Sequence, residues 1–301
     1  MLKFFATPGN SRSIFPPNPQ FQANSVSLKK FLLISIHGIV FAGIVVAIIF
    51  EVADYKLEQR SHTGVYNNCH KIWSARGIYE SRQLQNSIQS INAAFRMDAK
   101  GVEIDMFYDS ELNNYVVSHD YPYNLKNGSV LTLFELLNNL EQIEYIWIDF
   151  KKLRKLGKNQ LRQAISRLEE LSAMFDIKDK FYIEGGDPFN LHKFALAGFN
   201  TIFDIHPLPS SYALSGFMIG LYKVAYWLGG FSVIGLQYSD DGELTFDETM
   251  SERLESIPLF IYHVPENKQN LDRLLRLPNV RVFLVGRSLS KNRFATNACN
   301  D

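Results

Sequence analysis

Gly101-Val102-Glu103-Ile104-Asp105-Met106 reads as a strand in which two carboxylates alternate with three apolar side chains. Successive residues of a strand point to opposite faces, so Glu103 and Asp105 share one face and Val102, Ile104 and Met106 the other. Carboxylates directed into a sheet interior repel one another and are costly to bury unless a cation or protons offset them.

Seven further runs rich in β-branched and aromatic residues surround this one, at 71–76, 145–150, 180–184, 200–205, 232–237, 258–264 and 280–285. Helical patterns at 84–95, 133–140, 159–174, 191–197, 246–254 and 270–277 separate them, which is the signature of βα units and a parallel sheet. Eight such strands predict a closed (β/α)₈ TIM barrel over residues 70–292, with its site at the C-terminal ends of the strands. One extra run, 115–118, follows the second strand after too short a gap for a helical crossover. It predicts an antiparallel hairpin insertion that carries His119 and Asp120 over the barrel mouth.

Ahead of the barrel, Phe31 to Phe50 is apolar apart from His37 and a few small or hydroxyl residues, long enough as a helix to cross a bilayer. We expect a disordered tail at 1–27, a transmembrane signal-anchor helix at 28–51, a linker at 52–69 and a short C-terminal tail at 293–301. A cleaved signal peptide and a buried core helix are the competing readings; Glu51-Val52-Ala53 makes a poor cleavage site. Lys3, Arg12, Lys29 and Lys30 precede the run with no acid among them, which predicts a cytoplasmic N-terminus and a barrel on the periplasmic, extracellular or lumenal side. Those are four of 31 basic residues, so the remainder carries 27 bases against 31 acids, and a broad nucleic-acid surface is not expected. A second apolar stretch, 212–236, is read either as an element whose Phe217, Tyr222, Tyr226 and Trp227 rest at the bilayer interface or as an ordinary barrel helix. Cys69 and Cys299 flank the first and last strands; a disulfide and two separate thiols both remain open.

Asp149 closes a third strand, two residues before Lys151, and completes a set of three hard oxygen ligands suited to Mg²⁺ or Ca²⁺. The competing reading is a structural ion-pair network with Lys151 and Arg76. The ordered series Ala75-Arg76-Gly77, Gln85-Asn86-Ser87, Glu103-Ile104-Asp105, Val116-Val117-Ser118-His119-Asp120, Thr132-Leu133-Phe134-Glu135-Leu136 and Asp149-Phe150-Lys151 resembles the glycerophosphodiester phosphodiesterase family of phospholipase-C-like barrels. That family typically shows His-Arg-Gly, Glu-Asn-Thr, Glu-x-Asp, Val-Val-x-His-Asp, a Thr-x-x-Glu-Leu helix and Glu-x-Lys, in this order.

The resemblance implies that Glu103, Asp105 and Asp149 hold a divalent cation, Mg or Ca, and that Arg76 and Lys151 bind phosphate. It makes His119 an acid/base histidine, and glycerophosphodiesters or lysophospholipid-like molecules the substrates. It also exposes departures: Ala75 stands where the family has its first histidine, Gln85 where it has a glutamate, and Asp149 where it has the longer acid. A methyl group cannot move a proton, so either His206 or His263, both expected on the rim, substitutes, or the chain is a catalytically impaired pseudoenzyme that binds a phospho-ligand or partner at the membrane. Glu184 and Arg287 also end strands and are expected either to line the pocket or, as the stronger reading, to form rim salt bridges. His70 is expected on the opposite face.

Overall fold

The computed structural model describes residues 25–286 except 127, 207, 209–211, 241, 242 and 245. The chain divides into two units, Met1–Ile48 and Ile49–Asp301. Within the first lies most of helix α1 (Ser25–Glu58), whose apolar side chains from Phe31 onward are largely exposed. Its stretch Lys30–Glu58 is long and apolar enough to cross a membrane. The one imidazole in the apolar run is satisfied within the helix: His37 Nδ1 lies 2.7 Å from the Leu33 carbonyl oxygen.

In the second unit, β1 (Ile72–Ala75) is followed by α2 (Ile88–Arg96), β2 (Gly101–Asp109), β3 (Asn114–Val117), α3 (Leu133–Asn138), β4 (Tyr145–Phe150) and α4 (Lys158–Phe175). The chain continues through β5 (Phe181–Gly185), α5 (Pro188–Leu196), β6 (Asn200–Asp204), α6 (Tyr212–Gly229) and β7 (Val233–Gln237). A two-stranded hairpin, β8 (Ser239–Asp240) and β9 (Glu243–Leu244), precedes α7 (Glu248–Arg253), β10 (Leu259–Tyr262), α8 (Lys268–Arg276) and β11 (Val280–Val285). β1 pairs in parallel with both β2 and β11, and the intervening strands pair in parallel around the ring, so eight strands close into a TIM barrel. β3 lies antiparallel on β2, Met106 facing Val117, as the short gap requires.

Local sequence sets these boundaries. Thr132 Oγ1 accepts the Glu135 N–H at 3.2 Å while Glu135 Oε2 accepts the Thr132 N–H at 2.9 Å, a capping box that starts α3. Asp187 caps α5, with Pro188 at its first turn, where a missing N–H costs nothing. Inside the barrel the lower layers are aromatic: Trp73, Trp147, Tyr182 and Phe260 pack with Ile202, Val233 and Val282. Tyr66 closes the floor, its N–H donating to Tyr182 Oη at 2.6 Å and its hydroxyl to the His70 carbonyl at 2.8 Å. Gly101 is required there, because a Cβ would fall 2.2 Å from the Trp73 indole. Between helices and sheet lies a second, aliphatic layer.

One expectation changes and one open reading is decided. The segment expected as a linker from residue 52 is helical to Glu58, with Ala53, Leu57 and Tyr66 buried, because these apolar side chains have barrel surface to cover. Of the two readings of 212–236, the ordinary barrel helix holds: the stretch forms α6 and then β7. Tyr226 is fully buried and donates to the Ser232 carbonyl at 2.8 Å, so it lies inside the fold, and Lys223 is paired with Asp54 at 2.8 Å. The tails at 1–24 and 287–301, with Arg287 and Cys299, lie outside the described residues; Cys69 is not a free thiol.

Candidate functional site

Strand register assembles the site. Asp105 is level with Asp149, and Asp149 with Glu184, on three adjacent strands, while Glu103 is level with Ala75 across the closing seam. One carboxylate oxygen from each of Glu103, Asp105 and Asp149 lies within 4.8 Å of the others. Asp105, fully buried, is the hub. Its Oδ2 accepts from Arg76 Nε at 2.8 Å and from Asn86 Nδ2 at 2.7 Å, and its Oδ1 faces Lys151 Nζ at 2.7 Å. Lys151 also pairs with Asp149.

The loop after β1 is shaped to aim Arg76 inward. Arg76 (φ 59°) and Asn86 (φ 55°) both occupy the left-handed region, an unfavourable conformation for residues with a side chain. They are held by backbone bonds from the Arg76 N–H to the Glu103 carbonyl at 2.9 Å and from the Asn86 N–H to the Arg76 carbonyl at 3.1 Å. Gly77 follows at φ 79°, where a Cβ would strike the Ser90 backbone at 2.5 Å. The Ala-Arg-Gly and Gln-Asn-Ser segments thus form one scaffold.

Burial and mutual repulsion raise the acids. Burial, then the neighbouring Asp105 charge, pushes Glu103 well above the usual carboxylate range; Arg76 and Lys151 only partly counter it. Burial also raises Asp149, against the pull of Lys151. Burial would lower Lys151, but Asp149 and Asp105 outweigh it and hold the ammonium above its ordinary value. Two more acids extend the set beyond the sequence motifs. Glu184 is raised well above its ordinary value by burial and then by Asp149 and Asp204, and Asp204 is pushed up to about 6 by burial. Glu184 forms no salt bridge among the described residues, so of its two readings rim salt bridging fails and pocket lining holds. It accepts a hydrogen bond from Trp147 Nε1, because it lies inside the barrel over the aromatic floor. Tyr262 donates its hydroxyl to Asp204 Oδ1 at 2.9 Å.

These raised acids set a pH dependence. An unfolded aspartate titrates near 3.8 and the folded Asp204 near 6, so between those values only the folded chain holds the proton. Its contribution to stability is therefore complete below about pH 4 and is lost as pH rises through 6. In metal-free protein, chemical denaturation of Asp204→Asn across pH 4 to 7 should show less loss with rising pH than the parent; an unchanged slope would refute this assignment.

Two neighbouring cavities open at the mouth. The smaller, about 450 Å³, is lined by Ala75, Glu103, Asp149, Glu184, Tyr262 and His263 among others. The larger, about 750 Å³, is lined by His119, Asp120, Gln85, Arg82 and Lys126 among others, and Arg76, Tyr79 and Gly286 border both. His119 Nδ1 sits 2.7 Å from Asp120 Oδ1, which fixes the ring and pulls the Asp120 carboxyl below its ordinary value. His263 shares the smaller cavity with Ala75, whereas His206 is exposed past β6 and lines neither. His70 lies at the floor beside Tyr66, as expected. Asn86, Asp204, Tyr262 and Trp147 were not singled out from sequence; only Asn86 carried a signal there, as part of its motif.

The donor set suits a hard divalent ion. Asp105 already engages three cationic or amide groups, whereas no hydrogen-bond donor among the described residues reaches the Glu103 carboxylate, which faces the smaller cavity from a buried position. Three carboxylates against Arg76 and Lys151 leave negative charge over, which a divalent ion would offset.

No protein-family model matches the sequence, and no curated protein matches it. Solved structures do. A phosphodiesterase from Oleispira antarctica, in complex with the product sn-glycerol-3-phosphate, superposes with a TM-score of 0.53 at 13% identity, over 76% of this chain and 96% of that one. A glycerophosphodiester phosphodiesterase from Parabacteroides distasonis gives 0.51 at 14% identity, over 73% and 94%. One from Thermotoga maritima gives 0.50 at 18% identity, over 72% and 94%. With its closed barrel, its β2–β3 hairpin and these neighbours, the chain has the fold of these solved glycerophosphodiester phosphodiesterases.

Proposed function

We propose that the chain is a membrane-anchored, metal-dependent phosphoric diester hydrolase acting on glycerophosphodiesters or lysophospholipid-like molecules. The observation that carries this reading is the convergence of Glu103, Asp105 and Asp149 from separate strands, with Arg76 and Lys151 bound to the same carboxylate. The product held by the Oleispira neighbour supports the substrate class. The apolar helix Lys30–Glu58 supports the anchor, and the basic residues before it a cytoplasmic N-terminus.

Glu103, Asp105 and Asp149 would hold the divalent ion, which supplies Lewis-acid polarisation of the phosphoryl oxygens. Arg76 and Lys151, preorganised by Asp105, offset the negative charge that grows on phosphorus-bound oxygen. His119, its Nδ1 engaged by Asp120, presents Nε2 as the proton donor to the leaving alkoxide. Tyr79 and Arg76, bordering both cavities, place the phosphodiester between them, with its alcohol arm in the larger one. Of the two candidate substitutes for the missing first histidine, the cavity lining favours His263 over His206.

Ala75 supports a second reading, a barrel that binds a phospho-ligand without turnover. A choline- or glycerol-release assay on the full-length chain with Mg²⁺ or Ca²⁺ separates the two. His119→Ala should lose about 10²–10⁴-fold in rate. Unchanged release would sink its role, and no release from the parent under any cation would favour the binding-only barrel.

A further inference from the structure

Two loops meet at the larger cavity and leave positive charge there. After β1 the chain makes one 3₁₀ turn, Arg82–Leu84, which buries none of its residues and sets Arg82 in the cavity wall. Between β3 and α3, Lys126 opens a tight turn: its N–H donates to the Ser129 carbonyl at 2.7 Å, and the Ser129 N–H donates to the Lys126 carbonyl at 3.1 Å. From that fixed position Lys126 Nζ crosses to the other loop, donating to the Gln83 carbonyl at 2.8 Å and the Gln85 carbonyl at 2.6 Å. The ammonium is thus tied to the residue that follows Arg82. Bringing two like charges together costs free energy unless an anion offsets them.

Among the described residues the cavity offers no such anion. Its carboxylate, Asp120, is engaged by His119 Nδ1 at 2.7 Å, and Arg76 is already held by Asp105 at 2.8 Å. That leaves Arg82 and Lys126, and neither forms an ion pair among the described residues. Burial holds the Lys126 ammonium below its ordinary value, and no neighbouring carboxylate counters the shift. The ammonium has three N–H donors, so one remains after the two carbonyls are served. The smaller cavity has the opposite character: Glu103, Asp149 and Glu184 line it and would repel an anionic group. Gln85 links the unpaired cations to the phosphodiester position, since its Oε1 accepts from Arg76 Nη1 at 3.4 Å while its carbonyl accepts from Lys126.

We infer that Arg82 and Lys126 form an anion subsite for a second phosphoryl group, carried on the alcohol arm of the substrate. This deepens the hydrolase reading and rests on it for where the phosphodiester sits. A phosphate monoester carries a charge of about −2 at neutral pH, which two cations match, and its oxygens accept from both a guanidinium fork and an ammonium. The test is isothermal titration calorimetry of glycerophosphoinositol and glycerophosphoinositol 4-phosphate into the full-length protein, with EDTA present to hold metal-dependent turnover off. The phosphorylated ligand should bind about 10-fold tighter, the order expected of a charge-assisted pair at an open rim. That preference should fall to about 2-fold in Arg82→Gln and be largely kept in Arg82→Lys, which restores the charge. Equal affinities in the parent, no binding of the phosphorylated ligand, or a preference undiminished in Arg82→Gln overturns the subsite. A preference that persists in protein showing no release with Mg²⁺ supports the subsite while counting against hydrolysis, so the two readings fail separately.

Discussion

Asp105→Ala should reduce phosphodiester hydrolysis by more than about 10³-fold and lower stability by about 3 kcal/mol. The carboxylate is fully buried and binds Arg76, Lys151 and Asn86 at once. Its removal deletes one of the three carboxylates proposed to hold the ion, frees Arg76 and Lys151 from their fixed positions and leaves them without their shared anion. Because Glu103 and Asp149 remain nearby to pair with Lys151 and Arg76, the stability loss falls at the low end for a broken buried pair. Denaturant unfolding and release kinetics on the same preparation measure both effects. A variant of near-normal activity would show that the cluster is an ion-pair scaffold alone, the competing reading of these residues from sequence.

Ala75→His should act in the opposite direction, raising kcat by about 10²-fold, the lower end of what one positioned acid/base group supplies. Ala75 ends β1 level with Glu103, and its methyl lines a cavity of about 450 Å³ that has room for an imidazole. If His263 already serves as the second acid/base group, the gain shrinks to a few-fold and His263→Ala abolishes activity in the parent but not in the Ala75→His variant. That pattern, read in kcat rather than KM, distinguishes a replaced histidine from a lost one.

Much of the fold was legible because its signals are local. Eight strands, their order and the hairpin follow from side-chain alternation and gap length. The Thr132–Glu135 motif is legible because it is a helix cap, a device set by four consecutive residues. What sequence concealed depends on register between distant strands. Nothing near Asp204 marks it as an acid facing Asp149 and Glu184; only the closed sheet brings them together. Glu184 looked like a rim residue because strand-end acids usually find a cation, yet its neighbour is the Trp147 indole. The helical course of residues 52–58 is hidden for a similar reason: polar residues after an apolar run suggest a linker, while Ala53 and Leu57 are buried and Asp54 pairs with Lys223 of α6, far away in sequence.

Isothermal titration calorimetry of Mg²⁺ and Ca²⁺ into the metal-free protein bears most directly on the acidic centre. One ion should bind per chain, with affinity falling at least 10-fold in Glu103→Gln, whose carboxylate accepts from no donor among the described residues. No binding by the parent, or equal binding by both proteins, would contradict the account.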